Sequence, residues 1–265
     1  MEHIKQLYNF IMYWVKRLEE DAVSAFSAQA AFFIMLAAFP LLMLLAACLQ
    51  YLPWDQELMQ AELVALFPGT LQEVAREVLG EIYTQATGIV LSFTAITAIW
   101  SVSRGVYALL QGIRAVYKPF GAGKNEIASW KLRGLSVAYT LFLLLLIVFV
   151  MGLWLFGFLH FFIAFFIMVL FCILLYTAAS PKDGHLFRYI PGAMLSAVGW
   201  VLFTWVYGIY IRYFSGFSKF YGSLTSVVFL MLWLYFCMYI LLAGAECNEW
   251  IQERNSRKGD RKSVV

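Results

Sequence analysis

Charged residues are scarce in this 265-residue chain: they make up 13% of it, and long segments contain none. The uncharged segments cover residues 22–54, 82–103, 134–181, 189–211 and 220–245. Each is long enough to cross the roughly 30 Å hydrocarbon core of a bilayer as a helix. The third would be about 70 Å long as one helix, so it must fold back as two spans. The lack of charge therefore predicts an all-α, polytopic membrane bundle with six transmembrane helices.

The predicted spans belong to a single membrane domain, residues 1–252, which is followed by a charged tail, residues 253–265. The six spans cover about residues 28–52, 87–110, 135–156, 161–179, 191–212 and 224–247. Because 63% of the residues are hydrophobic, little of the chain is left for a separate soluble domain.

Residues that carry enzyme chemistry are equally sparse. The 3 histidines, His3, His160 and His185, are isolated in sequence and predicted to lie on different sides of the membrane, so they cannot share a metal ion. The 4 cysteines lie in apolar spans or at a membrane edge, where they act as small hydrophobic residues. No phosphate-binding loop or dinucleotide motif is present. We therefore expect no enzyme activity, no metal, no cofactor and no nucleic-acid binding.

Positive charge is concentrated in alternate connecting segments. Lys and Arg are frequent before the first span, between spans two and three, and in the tail, but rare in the loops of the opposite side. The positive-inside rule then places both termini in the cytoplasm. The basic tail is expected to contact anionic lipid of the inner leaflet.

Two regions outside the spans have amphipathic patterns. At the N-terminus, apolar residues recur at helical spacing, among them Leu7, Ile11, Trp14 and Leu18, with charged residues on the other faces. This pattern predicts a helix that lies on the inner membrane surface. The outer loop between the first two spans predicts further amphipathic helices, with an apolar stripe over residues 71–82 that needs a lipid or protein partner.

Small residues mark span five and the end of span six. Gly192, Ser196 and Gly199 recur on one side of span five, and Gly244 follows near the end of span six. Small residues at this spacing allow close approach of helix backbones, so we expect these four positions to pack helices together. Spans three and four, which are rich in Leu, Phe and Ile, are expected to face lipid.

Short motifs in spans one and six resemble a known family. They are SAQAAFF at residues 27–33 and FPLL at 39–42, then YGSL at 221–224, LWLY at 232–235 and GAECN at 244–248. With these motifs the chain resembles the YihY/BrkB family of bacterial inner-membrane proteins, once named ribonuclease BN. The resemblance covers nearly the whole chain and implies a six-helix inner-membrane protein. For the family it also implies a role in serum resistance or in lipid export to the envelope.

The candidate site lies at the cytoplasmic end of the predicted bundle. Arg104 stands inside span two near its inner end, where a charge is costly unless it is paired or solvated. Either its side chain reaches the lipid phosphates, or it faces the bundle and pairs with Glu246 near the end of span six. Gln29 and Ser101 are predicted at the same level, so the four residues form a possible polar vestibule for an anionic head group. At the outer end of span six, Tyr221, Gly222 and Ser223 predict a tight turn or a hinge.

Two functions fit these features. The first is a transporter or a flippase-like exporter of a lipid or another anionic amphiphile, which the bundle and the vestibule favour. The second is a non-transporting protein of envelope assembly or structure that binds an envelope protein through its outer amphipathic helices. The absence of clustered metal ligands argues against a ribonuclease. The sequence names neither a substrate nor an oligomeric state.

Overall fold

The computed structural model describes residues 2–50, 61, 64–65, 72–73, 76–77, 80, 88–117, 129–152, 159–180, 186–214 and 223–263. These residues form seven α-helices, with one 3-10 helix (Leu186–Tyr189) before the sixth. The α-helices are α1 (Glu2–Glu20), α2 (Val23–Gln50), α3 (Gly88–Tyr117), α4 (Ser129–Gly152), α5 (Leu159–Ala179), α6 (Ile190–Phe214) and α7 (Ser223–Ser263). The predicted outer-loop helices are seen only at isolated positions, and Tyr221 and Gly222 lie outside the described residues.

The apolar helices α2 to α7 correspond to the six spans predicted from the five uncharged segments of the sequence. By length and hydropathy, α3, α5, α6 and α7 can each cross a membrane, and the bent pair of α1 and α2 raises the number to five within the described ranges. The prediction of an all-α membrane bundle is confirmed, whereas the count of six spans stays a prediction. Helix α7 continues well past the predicted end of span six and includes most of the charged tail.

Helix α3 lies at the centre of the bundle. It packs along α2 and also contacts α4, α5 and α7. About half of its membrane-crossing segment is buried, a larger share than in α5, α6 or α7. Two glycines allow this packing, because a Cβ atom at Gly105 would lie 2.8 Å from the side chain of Ile34, and one at Gly112 would lie 2.9 Å from Phe26. The pattern of the sequence does not predict this central position for span two.

Helix α1 turns away from α2 at Ala22. The two helices are bent by 58°, and Ala22 has a φ of 52°, which is the left-handed conformation that ends a right-handed helix. Tyr8, Ile11 and Val15 remain exposed on α1. Trp14 contacts the ring of Trp250 on α7, with 5.9 Å between ring centroids. Helix α1 therefore crosses one end of the bundle, which we call the α1 end, and contacts α7 between Glu246 and Glu253.

Helix α6 has one packed side and one exposed side. Gly192, Ala193, Ser196 and Ala197 are buried, whereas most of the larger apolar residues of the helix are exposed. The exposed set includes Leu195, Val198, Leu202, Trp205 and Val206. Large apolar side chains are also exposed on α4 and α5, such as Leu145 and Phe166. Wide apolar surfaces of this kind suit contact with lipid. The small residues therefore give α6 only a narrow stripe of contact with other helices.

Candidate functional site at the α1 end of the bundle

Helices α6 and α7 touch through their small residues. A Cβ atom added at Gly192 would overlap the carbonyl oxygen of Gly244 and the amide group of Asn248. One added at Gly244 would overlap Ser196 Oγ and the carbonyl oxygen of Gly192. At Gly199 the contact is looser, since a Cβ would lie 2.9 Å from the side chain of Ile240. Only glycine at positions 192 and 244 permits this crossing of the two backbones.

Hydrogen bonds follow the same contact, which we call the α6–α7 seam. Tyr176 Oη on α5 donates to the carbonyl oxygen of Leu241 at 2.6 Å and lies 2.7 Å from Ser196 Oγ. Both side chains are buried, where an unmade hydrogen bond would be costly. The seam therefore joins α5, α6 and α7 through neutral groups that form hydrogen bonds with each other.

Asn248 holds the beginning of α6. Its Oδ1 accepts a hydrogen bond from the Gly192 backbone N–H at 2.7 Å, which is one of the N–H groups that lack a partner in the first turn of a helix. Its Nδ2 lies 3.3 Å from both Tyr117 Oη and the carbonyl oxygen of Tyr189. This completely buried side chain thus connects α7 to the end of α3, the 3-10 helix and α6.

A charged network joins α1 to α7 beside this seam. Arg17 Nε donates to Glu246 Oε2 at 2.6 Å. Its Nη1 and Nη2 donate to the two carboxylate oxygens of Glu253 at 2.9 and 3.1 Å, and Nη1 also donates to Tyr13 Oη at 3.0 Å. Such paired, charge-assisted hydrogen bonds are stronger than neutral ones. We call these four residues the Arg17 network.

The Arg17 network is buried unevenly and contains more acids than bases. The side chain of Glu246 is 0% exposed, that of Arg17 is 12% exposed and that of Glu253 is 39% exposed. Burial by itself lowers the pKa of Arg17, but the hydrogen bonds to Glu253 and Glu246 outweigh it and raise the pKa above its ordinary value. The carboxyl group of Asp21 also lies beside Glu246. One arginine therefore balances several carboxyl groups at this end of the bundle.

The predicted pair of Arg104 and Glu246 is wrong, because Glu246 takes its cation from α1. The side chain of Arg104 is exposed on α3, and its guanidinium carbon lies 4.9 Å from the ring centroid of Trp100 and 5.8 Å from that of Phe33. Gln29 is exposed on α2, whereas Ser101 is buried along α3. The predicted vestibule is thus not assembled around Arg104, and Glu246 is the only one of the four residues in the Arg17 network.

Sequence reasoning missed Arg17 and Glu253, and it identified Asn248 only as part of the motif at residues 244–248. Arg17 was assigned to the polar face of a surface helix, and nothing in its local pattern indicates a partner more than two hundred residues away. A signal did exist on α7, where Glu246, Glu249 and Glu253 recur at three- and four-residue steps and so lie on one helical face. Acids repeated on one face of a helix that begins in the membrane need a cation or water.

Comparisons with known proteins agree with this architecture. The family profile described as Virulence factor BrkB matches residues 14–264. YfkH of Bacillus subtilis (strain 168), which carries a ribonuclease-like name, is 24% identical over 251 residues, or 86% of this chain and 90% of its own length. No group of three or more His, Cys, Asp or Glu side chains that could hold a metal ion occurs among the described residues.

Shorter matches are found in proteins named as membrane proteins. The UPF0761 membrane protein Smlt0865 of Stenotrophomonas maltophilia (strain K279a) is 36% identical over 78 residues, or 29% of this chain. A UPF0761 membrane protein of Xanthomonas campestris pv. campestris (strain B100) is 31% identical over 75 residues, or 28% of this chain. In each case the match covers 18% of the relative's own length. No solved structure matches the chain.

Proposed function

Since the chain belongs to the Virulence factor BrkB family of membrane proteins, we propose that it is a transporter or a flippase-like exporter of a lipid or another anionic amphiphile in the bacterial inner membrane. The observation that carries this proposal is the ion pair between Arg17 and the completely buried Glu246. Ionisable groups inside membrane helices are costly and are typical of substrate or ion pathways.

The Arg17 network suits a gate at the α1 end. Helix α1 is amphipathic and is attached to α2 through the short turn at Ala22, so it can leave the bundle without unfolding. Its charged contacts with α7 oppose this movement, together with the ring contact between Trp14 and Trp250. When α1 leaves, the end of the α6–α7 seam opens to the membrane surface.

An anionic head group can take the place of a carboxylate on Arg17. A phosphate oxygen and a carboxylate oxygen make the same kind of charge-assisted, two-point contact with a guanidinium group. Exchange of Glu253 for phosphate keeps the cation paired throughout, and the released carboxylate of Glu253 is exposed enough for water to solvate it. Glu253 is the more exposed of the two carboxylates that bind Arg17 and is therefore the one that a head group reaches first.

The experiment is a lipid-translocation assay with purified protein in liposomes that contain a fluorescent anionic lipid. Arg17→Gln should lower the translocation rate by roughly tenfold or more, because the two-point contact is lost, and Arg17→Lys should keep part of it. Arg104→Gln is the matched control, since it removes a cation from outside the network, and it should leave the rate unchanged. A full rate in Arg17→Gln would refute the role of the network. Intact protein that moves no lipid would favour the non-transporting, envelope-assembly function instead.

A further inference from the structure

A second polar feature of the α1 end lies where α6 begins, on the side of the 3-10 helix. An open pocket of about 460 Å³ lies between the 3-10 helix, the first turn of α6 and the part of α7 beyond Asn248. It is lined by Phe187, Arg188, Pro191, Ile251, Gln252, Asn255 and Ser256. Its volume is within the range of pockets that hold small ligands.

Gln252 is the residue that points to a ligand. Its side chain is 5% exposed, and neither its Nε2 nor its Oε1 has a hydrogen-bond partner among the described groups. A buried amide normally has its polar atoms satisfied, and both ends of this one lack a partner in the described part of the chain, so a ligand can supply both. The Nε2 group requires an acceptor and the Oε1 atom requires a donor. A single ligand that offers both, side by side, completes the site.

Arg188 defines the charge of that ligand. It is exposed, and it is the only charged residue among those described as lining the pocket. Asn255 adds a further amide, while the Ser256 hydroxyl already donates to the carbonyl oxygen of Gln252 at 3.1 Å. An arginine with amide groups beside it is a typical arrangement for binding a phosphate.

The surroundings indicate that the phosphate belongs to a lipid. The pocket lies where α6 begins, which is the level of the head groups when α6 crosses the membrane. Leu186 and Phe187, just before Arg188, are 51% and 81% exposed. Exposed apolar side chains beside an arginine fit a molecule with a charged head and an apolar tail.

We propose that this pocket binds the head group of a phospholipid whose phosphodiester also carries a hydroxyl group, as in phosphatidylglycerol. Arg188 and Gln252 Nε2 hold the phosphate, and Gln252 Oε1 accepts a hydrogen bond from the hydroxyl group.

This site is separate from the Arg17 network, because Gln252 and Glu253 are neighbours in sequence and point about 100° apart around α7. Lipid binding here requires no transport. It can therefore be measured on the full-length protein in detergent, and the result stands whether or not the liposome assay succeeds.

The test measures lipid affinity by native mass spectrometry with three lipids of equal chain length. These are phosphatidylglycerol, phosphatidylmethanol, which has the anionic phosphodiester but no hydroxyl donor, and phosphatidylcholine. The wild type should bind phosphatidylglycerol several-fold more tightly than phosphatidylmethanol, and phosphatidylcholine most weakly. Soluble glycerophosphoglycerol serves as the competitor without acyl chains, and it should displace the lipid poorly.

Two variants assign the contacts. Arg188→Gln should weaken phosphatidylglycerol binding by roughly tenfold, as expected for the loss of a charged hydrogen bond, while Arg104→Gln, the control on another exposed arginine, should not. Gln252→Met, of similar volume, should abolish the preference for phosphatidylglycerol over phosphatidylmethanol.

An equal loss of phosphatidylglycerol affinity in Arg188→Gln and Arg104→Gln would overturn the proposal, even if Gln252→Met fails to fold. Equal binding of the two anionic lipids by the wild type would refute the role of Gln252. Efficient displacement by glycerophosphoglycerol would overturn the assignment to a lipid.

Discussion

Near its middle, helix α7 makes two contacts of different character, one with α6 and one with α1. At the α6–α7 seam, glycines bring the backbones together, and neutral hydrogen bonds from Tyr176 and Asn248 fill the contact. At α1 the backbones stay apart, and long charged side chains bridge the gap from Arg17 to Glu246 and Glu253. A contact between backbones is lost after a small displacement, whereas flexible charged side chains can exchange partners. The seam therefore suits a permanent joint and the network a separable one.

The largest effect on stability is expected from Arg17→Gln. The substitution leaves Glu246 buried without its cation, and removal of one partner of a buried ion pair costs about 3 kcal/mol or more. The measurement is the free energy of unfolding in mixed detergent micelles. Lys16→Gln is the neighbouring control, because Lys16 is 77% exposed and, among the described residues, pairs only with Glu20 at 3.8 Å, so its loss should cost less than about 0.5 kcal/mol. Equal losses in the free energy of unfolding would mean that the Arg17 network contributes no more to stability than an exposed ion pair.

Gly244→Ala should cost about 2 kcal/mol, because the added methyl group overlaps Ser196 and Gly192 and forces the two helices apart. Gly208→Ala on α6 is the matched control, since nothing lies within 4 Å of a Cβ atom at that position. The difference between the two variants in thermal unfolding isolates the backbone contact. No difference would show that the seam can widen freely, which contradicts a permanent joint.

Tyr176→Phe should cost about 1 kcal/mol. It removes one hydroxyl group that contacts Leu241 and Ser196, and it leaves the ring in place. The same unfolding measurement applies, and the double variant Tyr176→Phe, Ser196→Ala should cost less than the sum of the two single variants, because the two hydroxyl groups are partners. Strict additivity would show that the two groups act independently.

The smallest effect is expected from Arg104→Gln, at less than about 0.5 kcal/mol. The guanidinium group is exposed and contacts only aromatic rings in the described part of the chain, and an exposed cation–π contact is weak. Unfolding should match the wild type within error. A loss as large as that of Arg17→Gln would mean that the two arginines have equivalent roles, and the comparison between a buried network and a surface cation would fail.

The sequence predicts the class of the fold because each uncharged run is a local property, and burial of its backbone in lipid requires a helix. It also identifies the glycines of the seam, since small residues at helical spacing need close neighbours. The error at Arg104 has a physical reason. Position along a span gives the depth of a residue but not the direction in which it points, and that direction depends on which helices surround it. The partner of Glu246 is unpredictable for the same reason, because the orientation of α1 depends on one backbone conformation at Ala22.

The length of α7 has a mechanical consequence. Its 41 residues extend for about 60 Å, roughly twice the thickness of the hydrocarbon core. A single uninterrupted helix of this length transmits force from one end to the other. Gly244 and Glu246 lie near its middle, and the charged turns form its C-terminal end. Force applied to the C-terminal end of α7, by a bound protein or by an anionic surface, acts as torque on the contacts of α7 with α1 and α6. The Arg17 network should separate before the α6–α7 seam, because its charged side chains can exchange partners.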